Sequence, residues 1–210
     1  MTYTVKEIYY TLQGEGSHSG RAAVFCRFTG CNLWSGHEED RGKAVCRFCD
    51  TDFLGTDGPS GGKFKSSELL AKAVSECWPN NKGVPYVVCT GGEPLLQLDN
   101  NLIVAFKKCG FVVGVETNGT HEAPDGLDWI CVSPKANQPL KLTGGDELKL
   151  VYPQEEVDPA KYANLHFKHF YLQPLDNVNL EQNTQKAINY CLKHPQWRLS
   201  TQMHKIVNID

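Results

Sequence analysis

The chain has no run of basic residues and no basic stripe: its 21 Lys and Arg are scattered among 24 Asp and Glu, for a formal net charge of −3. Direct binding to nucleic acid or to an anionic membrane is therefore not expected. No apolar run approaches the roughly 20 residues of a membrane span. The N-terminal MTYTVKEIYYTLQGEGS lacks a basic segment followed by an apolar core, so no signal peptide is expected. Internal repeats and a break between domains are also missing. The expectation is a single domain, 1–210, in the cytoplasm, long enough to bury roughly 70% of its unfolded surface.

Cysteine, by contrast, is abundant. Nine is an odd count and the chain is long for a secreted disulfide scaffold, and cytoplasmic thiols stay reduced. Cys77, Cys109 and Cys191 fall on the apolar stripes of expected helices, Cys89 and Cys131 lie inside apolar strands, and Cys26 shares a strand face with Val24 and Phe28. Free Cys packs as a small hydrophobe, so these six are expected in the core. Cys31, Cys46 and Cys49 stand in irregular, polar surroundings, the last two as C-R-F-C. Thiolates are soft metal ligands. Structural zinc would need a fourth ligand, for which His37 is available, although its neighbours Glu38, Glu39 and Asp40 read as a solvated loop. An iron–sulfur cluster on three cysteines would instead leave one iron open, which is a chemical site.

Short apolar runs alternate with helical patterns. Strands are expected at 21–30, 84–90, 111–116, 127–133, 147–152, 169–173 and 197–202; helices at 66–77 (capped by Ser66), 98–110 (stopped by Gly110) and 183–193 (ending before Pro195). Strands alternating with helices, with runs apolar on both faces, predict a parallel sheet covered by helices. With many strands and few full helices, a partial, open (β/α) TIM-like barrel is expected, an open doubly wound sheet being the alternative. Residues 35–45 and the Gly-rich 52–64 read as loops over one end of the sheet.

Three cysteines after the first strand, with Phe48 before the third, resemble the radical S-adenosylmethionine superfamily; the spacing here is C-x14-C-x2-C rather than the usual C-x3-C-x2-C. T-G-G-E-P (90–94) follows a buried strand, where that superfamily keeps a Gly-Gly-Glu segment. Together with Q-G-E-G (13–16), F-C-R-F (25–28), C-R-F-C-D-T (46–51), V-E-T-N-G-T (115–120), S-P-K (133–135) and L-Q-P (172–174), the order of motifs resembles the 7-carboxy-7-deazaguanine synthases over nearly the whole chain. The stretched cysteine spacing occurs within that family. Glycyl-radical activating enzymes, and a non-catalytic zinc or iron–sulfur protein, are the alternatives.

The resemblance implies a fold of the radical S-adenosylmethionine type and a lyase that contracts 6-carboxy-5,6,7,8-tetrahydropterin to 7-carboxy-7-deazaguanine with loss of ammonia, feeding synthesis of 7-deazapurines such as the queuosine base. It implies a [4Fe–4S] cluster on Cys31, Cys46 and Cys49, S-adenosylmethionine, and Mg2+ at Thr51. Phe48, Cys49 and Asp50 would line the adenosine side, and Gly92 would meet the methionyl amine. Ser133, Pro134 and Lys135 would reach ribose and carboxylate, and Gln173, Pro174, Leu175 and Asp176 would close the adenine end. Leu12, Gln13, Gly14, Glu15, Arg27, Thr90, Glu116, His204 and Asp210 would meet the substrate. No catalytic residue is assigned, the chemistry being that of a substrate radical at the cofactor, and His204 is also a candidate proton shuttle. Flavodoxin as reductant and a homodimer are further implications. The physical placement agrees: these motifs gather at the carboxyl ends of six expected strands, where α/β sheets build their sites. Arg27 also offers a planar fork suited to a carboxylate, on the strand face opposite Cys26 and Phe28.

Overall fold

The segment YTVKEIYYTL puts Tyr3, Val5 and Ile8 into the core and forms a ten-residue strand, β1 (Tyr3–Leu12). It pairs antiparallel with β2 (Ala22–Phe28) on one side and with the short β3 (Gly62–Phe64) on the other. Neither β1 nor β3 was expected from the sequence. The remaining strands, β4 (Tyr86–Gly91), β5 (Val112–Thr117), β6 (Trp129–Val132), β7 (Gly144–Tyr152), β8 (His166–Pro174) and β9 (Trp197–Leu199), join β2 in one nine-stranded sheet of order β3-β1-β2-β4-β5-β6-β7-β8-β9. From β2 onward every pairing is parallel. This computed structural model describes residues 1–79 and 83–209. The sheet is mixed at one edge rather than wholly parallel, and it does not close, since β3 and β9 remain separate edges.

Helices cover one face. α1 (Ser67–Cys77) begins where the Ser66 hydroxyl accepts the Leu69 N–H at 3.4 Å. α2 (Asn100–Lys108) begins at Asp99, whose carboxylate accepts both the Leu102 N–H at 2.9 Å and the Tyr3 hydroxyl at 2.8 Å. Each cap satisfies a donor that the first helical turn leaves without a partner. α1 and α2 bury Leu70, Val74, Leu102 and Phe106 against Val24, Cys26, Val87, Cys89, Val113 and Val115. α3 (Leu180–Lys193) covers the other half, over Leu148, Leu150, Phe170 and Leu172. No α-helix lies in the β5–β6 and β6–β7 connections. No helix among the described residues is long and apolar enough to cross a membrane.

The other face is not apolar, contrary to the sequence expectation. Period-2 alternation turns Glu7, Tyr9, Arg27, Thr90, Glu116, Cys131, Lys149 and Gln173 toward a cavity. Cys131 is thus buried as expected but faces that cavity, and Cys109 is exposed at the end of α2 rather than on its apolar stripe. The final expected strand is cut short at Leu199, and a five-residue helix, α4 (Met203–Val207), follows it.

Candidate active site

The cavity has a volume of about 710 Å³ and opens among the carboxyl ends of β2 and β4 to β8. Cys31, Cys46 and Cys49 line one end of it. Cys46 and Cys49 are hydrogen-bonded to each other. That bond holds the Cys49 thiol down at about 6, helped by the Thr51 N–H and the Lys135 charge against the opposing effect of burial. The same bond, with burial, pushes Cys46 up. Burial pushes Cys31 up, and N–H groups of Leu33 and Trp34 pull it partly back. Among the described residues no three His, Cys, Asp or Glu side chains form a set for a single metal ion, and His37 is exposed. Three thiols spread around one cavity end suit a cluster that presents separate irons.

The long gap between the first two cysteines folds over this end. A 3-10 turn, Glu38–Lys43, presents Arg41, whose guanidinium lies 4.2 Å over the Trp34 ring and donates to the carbonyl oxygens of Arg47 at 2.8 Å and Cys49 at 3.0 Å.

Each residue of Q-G-E-G has a tertiary partner. Gln13 donates to Glu116 at 2.8 Å. A Cβ on Gly14 would collide with the His204 ring, and α4 is tied to the same residue by Met203 N–H to the Gly14 carbonyl at 2.9 Å. Glu15 pairs with Lys149 at 2.6 Å and accepts from Gln173 at 2.9 Å and Gln202 at 3.1 Å. Gly16 adopts φ of 63°, which favours glycine, and a Cβ there would meet the Glu147 carboxylate. Burial alone would raise the Glu15 carboxyl; the paired Lys149 ammonium, with the hydrogen bond from Gln202, outweighs it and holds the group below its ordinary value. Burial would likewise lower Lys149, and Glu116 and Glu15 more than offset it.

T-G-G-E-P extends the pairing of β4 with β2. Gly92 N–H donates to Phe28 O at 3.2 Å and Glu93 N–H to Gly30 O at 2.8 Å. A Cβ on Gly92 would strike the Gly30 carbonyl, with Cys31 next to it. The glycine is therefore required by the neighbouring backbone. Glu93 is fully buried; it accepts from the Thr117 hydroxyl at 2.6 Å, Asn118 N–H at 2.8 Å and Leu95 N–H at 3.0 Å. It fastens the end of β4 to the end of β5, a role the sequence did not disclose.

Arg27 faces the cavity as expected, and its register partner Glu7 takes its Nε at 2.7 Å while Tyr9 takes Nη2 at 2.9 Å. Phe48, Asp50, Thr51, Thr90, Gly92 and Leu12 line the cavity, as do Ser133, Lys135, Pro174, Leu175, Asp176 and His204. Lys135 folds back onto Ser133, donating to its carbonyl at 2.7 Å and hydroxyl at 2.8 Å. Gln173 reaches the cavity wall, but its amide is engaged by Glu15 and by the Ser200 hydroxyl at 3.2 Å. Pro134 is buried behind the wall, where its carbonyl accepts from Gln154 at 3.4 Å, and does not line the cavity. Asp210 lies outside the described residues.

The sequence reading missed Lys149, Glu7, Glu93 and Lys205. The alternation in E-L-K-L-V (147–151) held the signal for Lys149: Leu148 and Leu150 enter the core, so Glu147 and Lys149 share the opposite face. Lys205 had none; it spans Asp50 at 2.8 Å and Asp176 at 2.6 Å, residues that only the fold brings together.

An open α/β sheet with three thiols and a tight glycine segment around one cavity that charged side chains enter marks the class of radical S-adenosylmethionine enzymes. The chain belongs to the 7-carboxy-7-deazaguanine synthase family. It is 61% identical over 209 residues to the 7-carboxy-7-deazaguanine synthase of Caulobacter vibrioides and 57% identical over 209 residues to that of Burkholderia multivorans, with all of both chains covered in each case. The crystal structure of QueE from Escherichia coli matches with a TM-score of 0.73 at 28% identity, covering 97% of this chain and 95% of the other. No family model matches the chain. These full-length relatives do not favour the glycyl-radical activating or non-catalytic alternatives.

Proposed function

We propose that the chain is a radical S-adenosylmethionine lyase that converts 6-carboxy-5,6,7,8-tetrahydropterin to 7-carboxy-7-deazaguanine with loss of ammonia, in 7-deazapurine (queuosine) synthesis, on a partial (β/α) barrel. The observation that carries this reading is the meeting of Cys31, Cys46 and Cys49 with Arg27 and Glu116 on one cavity, although they come from separate strand ends. When bound to Cys31, Cys46 and Cys49, a [4Fe–4S] cluster with S-adenosylmethionine would supply the organic radical. The chain's own residues do the rest. Gly92 offers a carbonyl to the methionyl amine, Ser133 and Lys135 line the ribose and carboxylate side, and Phe48, Leu175 and Asp176 line the nucleoside side. Arg27, with Nε and Nη2 held by Glu7 and Tyr9, presents Nη1 to the substrate carboxylate. Glu116 and His204 face the pterin ring. The Thr51 hydroxyl is a hard oxygen donor that would hold Mg2+, and the substrate carboxylate and water would have to supply its other ligands. A flavodoxin as reductant, a homodimer and a cytoplasmic location come with the family resemblance.

Anaerobic turnover of the reconstituted protein with 6-carboxytetrahydropterin, S-adenosylmethionine, Mg2+ and dithionite tests this. The product is expected by mass spectrometry and is expected to vanish in Cys31→Ala. Formation of 5′-deoxyadenosine without product would keep the radical chemistry and reject the substrate.

A further inference from the structure

Glu15 and Glu116 were both expected to meet the substrate, yet the structure treats them differently. Glu15 has both oxygens engaged: Oε2 with Lys149 at 2.6 Å, and Oε1 with Gln173 at 2.9 Å and Gln202 at 3.1 Å. Its partners come from β7, β8 and the segment before α4, so it acts as a strut among them. Glu116 is held through Oε1 alone, by Gln13 at 2.8 Å and Lys149 at 3.4 Å, and keeps 24% of its side chain exposed to the cavity. Lys149 is the group common to both. Its side chain is 6% exposed, and Leu148 and Leu150 on either side anchor its strand in the core, so it has little freedom to move away.

We propose that Lys149 is a positioning residue for ring recognition: braced by Glu15, it sets the Glu116 carboxylate so that its free oxygen faces the N–H donors of a flat aminopyrimidinone edge. The ammonium adds its charge on the same Oε1 that the neutral Gln13 amide holds, so the other oxygen stays turned to the ligand. The inference rests on the pterin lyase reading above.

The test is steady-state kinetics of the reconstituted holoenzyme with 6-carboxytetrahydropterin, alongside 5′-deoxyadenosine formation without substrate. Wild-type turnover checks the lyase reading by itself, so absence of product in wild type would sink that reading rather than the role of Lys149. In Lys149→Met, KM should rise on the order of 10- to 100-fold, as when one partner of a buried charge pair is truncated, while cofactor cleavage without substrate stays unchanged. Lys149→Arg keeps the charge and should restore KM to within about fivefold of wild type. The double variant Glu116→Gln/Lys149→Met should have the same KM as Glu116→Gln, because Lys149 works through Glu116. A KM for Lys149→Met within about twofold of wild type, or losses that multiply in the double variant, would overturn the proposal. Should Lys149→Met fail to fold, Glu15→Gln/Lys149→Gln removes one charge of each sign and should show the same rise in KM; an unchanged KM there also overturns it.

Discussion

Arg41 donates to the carbonyl oxygen of Cys49 at 3.0 Å, so a residue from the middle of the long first gap in the cysteine motif holds the backbone of its last cysteine. Packed over Trp34 and also bonded to the Arg47 carbonyl at 2.8 Å, it makes the inserted turn a brace for the thiols. Arg41→Ala is expected to fold normally but to lose its cluster several-fold faster to a chelator, followed by iron and sulfide content over time. Equal loss rates would show the turn to be merely ornamental to the cluster.

Arg27 combines a fork geometry with two prior partners. Arg27→Lys cannot keep both the Glu7 and Tyr9 bonds and still offer a planar edge. KM for the pterin should rise on the order of 10- to 100-fold, as expected when a charged hydrogen bond of about 1.5–3 kcal/mol is lost. Uncoupled cofactor cleavage should not change, which separates a substrate effect from damage to the cluster.

Glu93 accepts three hydrogen bonds while fully buried. In Glu93→Gln the new NH2 would confront N–H or O–H donors, leaving at least one bond unmade. Urea unfolding of the apo chain should show a loss of about 1.5–3 kcal/mol. An unchanged midpoint would mean that the β4 and β5 ends do not depend on this carboxylate.

Gly92→Ala sets a methyl group against the Gly30 carbonyl, beside Cys31. The end of β4 must then move away from β2. Iron incorporation during reconstitution should fall much more than global stability, read by comparing iron per chain with the thermal midpoint of the apo form.

His18 is wedged between Trp129, with ring centroids 4.1 Å apart, and the Tyr86 hydroxyl at 3.2 Å. Burial, then the nearby Arg21 charge, holds it below its ordinary value of 6.5. The unfolded chain therefore takes up the proton first as pH falls. The stability contribution of neutral His18 is complete above about pH 6.5 and is lost below it. Unfolding midpoints should fall from about pH 7.5 to about pH 5.5 more steeply in wild type than in His18→Phe; parallel slopes would contradict it.

The helices α1 and α2 and the strands from β4 onward were legible because each carries a compact apolar pattern bounded by turn or end signals, such as Ser66 and Gly110 for the helices. β1 was not, because Lys6, Glu7 and Tyr9 interrupt its apolar pattern; those residues face a cavity whose existence depends on the rest of the sheet. α4 was missed because five residues cannot make a stable helix alone, and Met203 gains its hold from Gly14, far away in the chain.

Residue order alone determined the cysteine set, the glycines of Q-G-E-G and T-G-G, and the gathering of polar motifs at strand ends, since each depends on local spacing and strand direction. The pairing of Lys149 with Glu15 and Glu116, the bracing of Cys49 by Arg41, and the span of Lys205 between Asp50 and Asp176 were decided only by tertiary structure. Opposite charges find one another across a buried cavity according to which strands lie side by side, and no local period in the sequence records that neighbourhood.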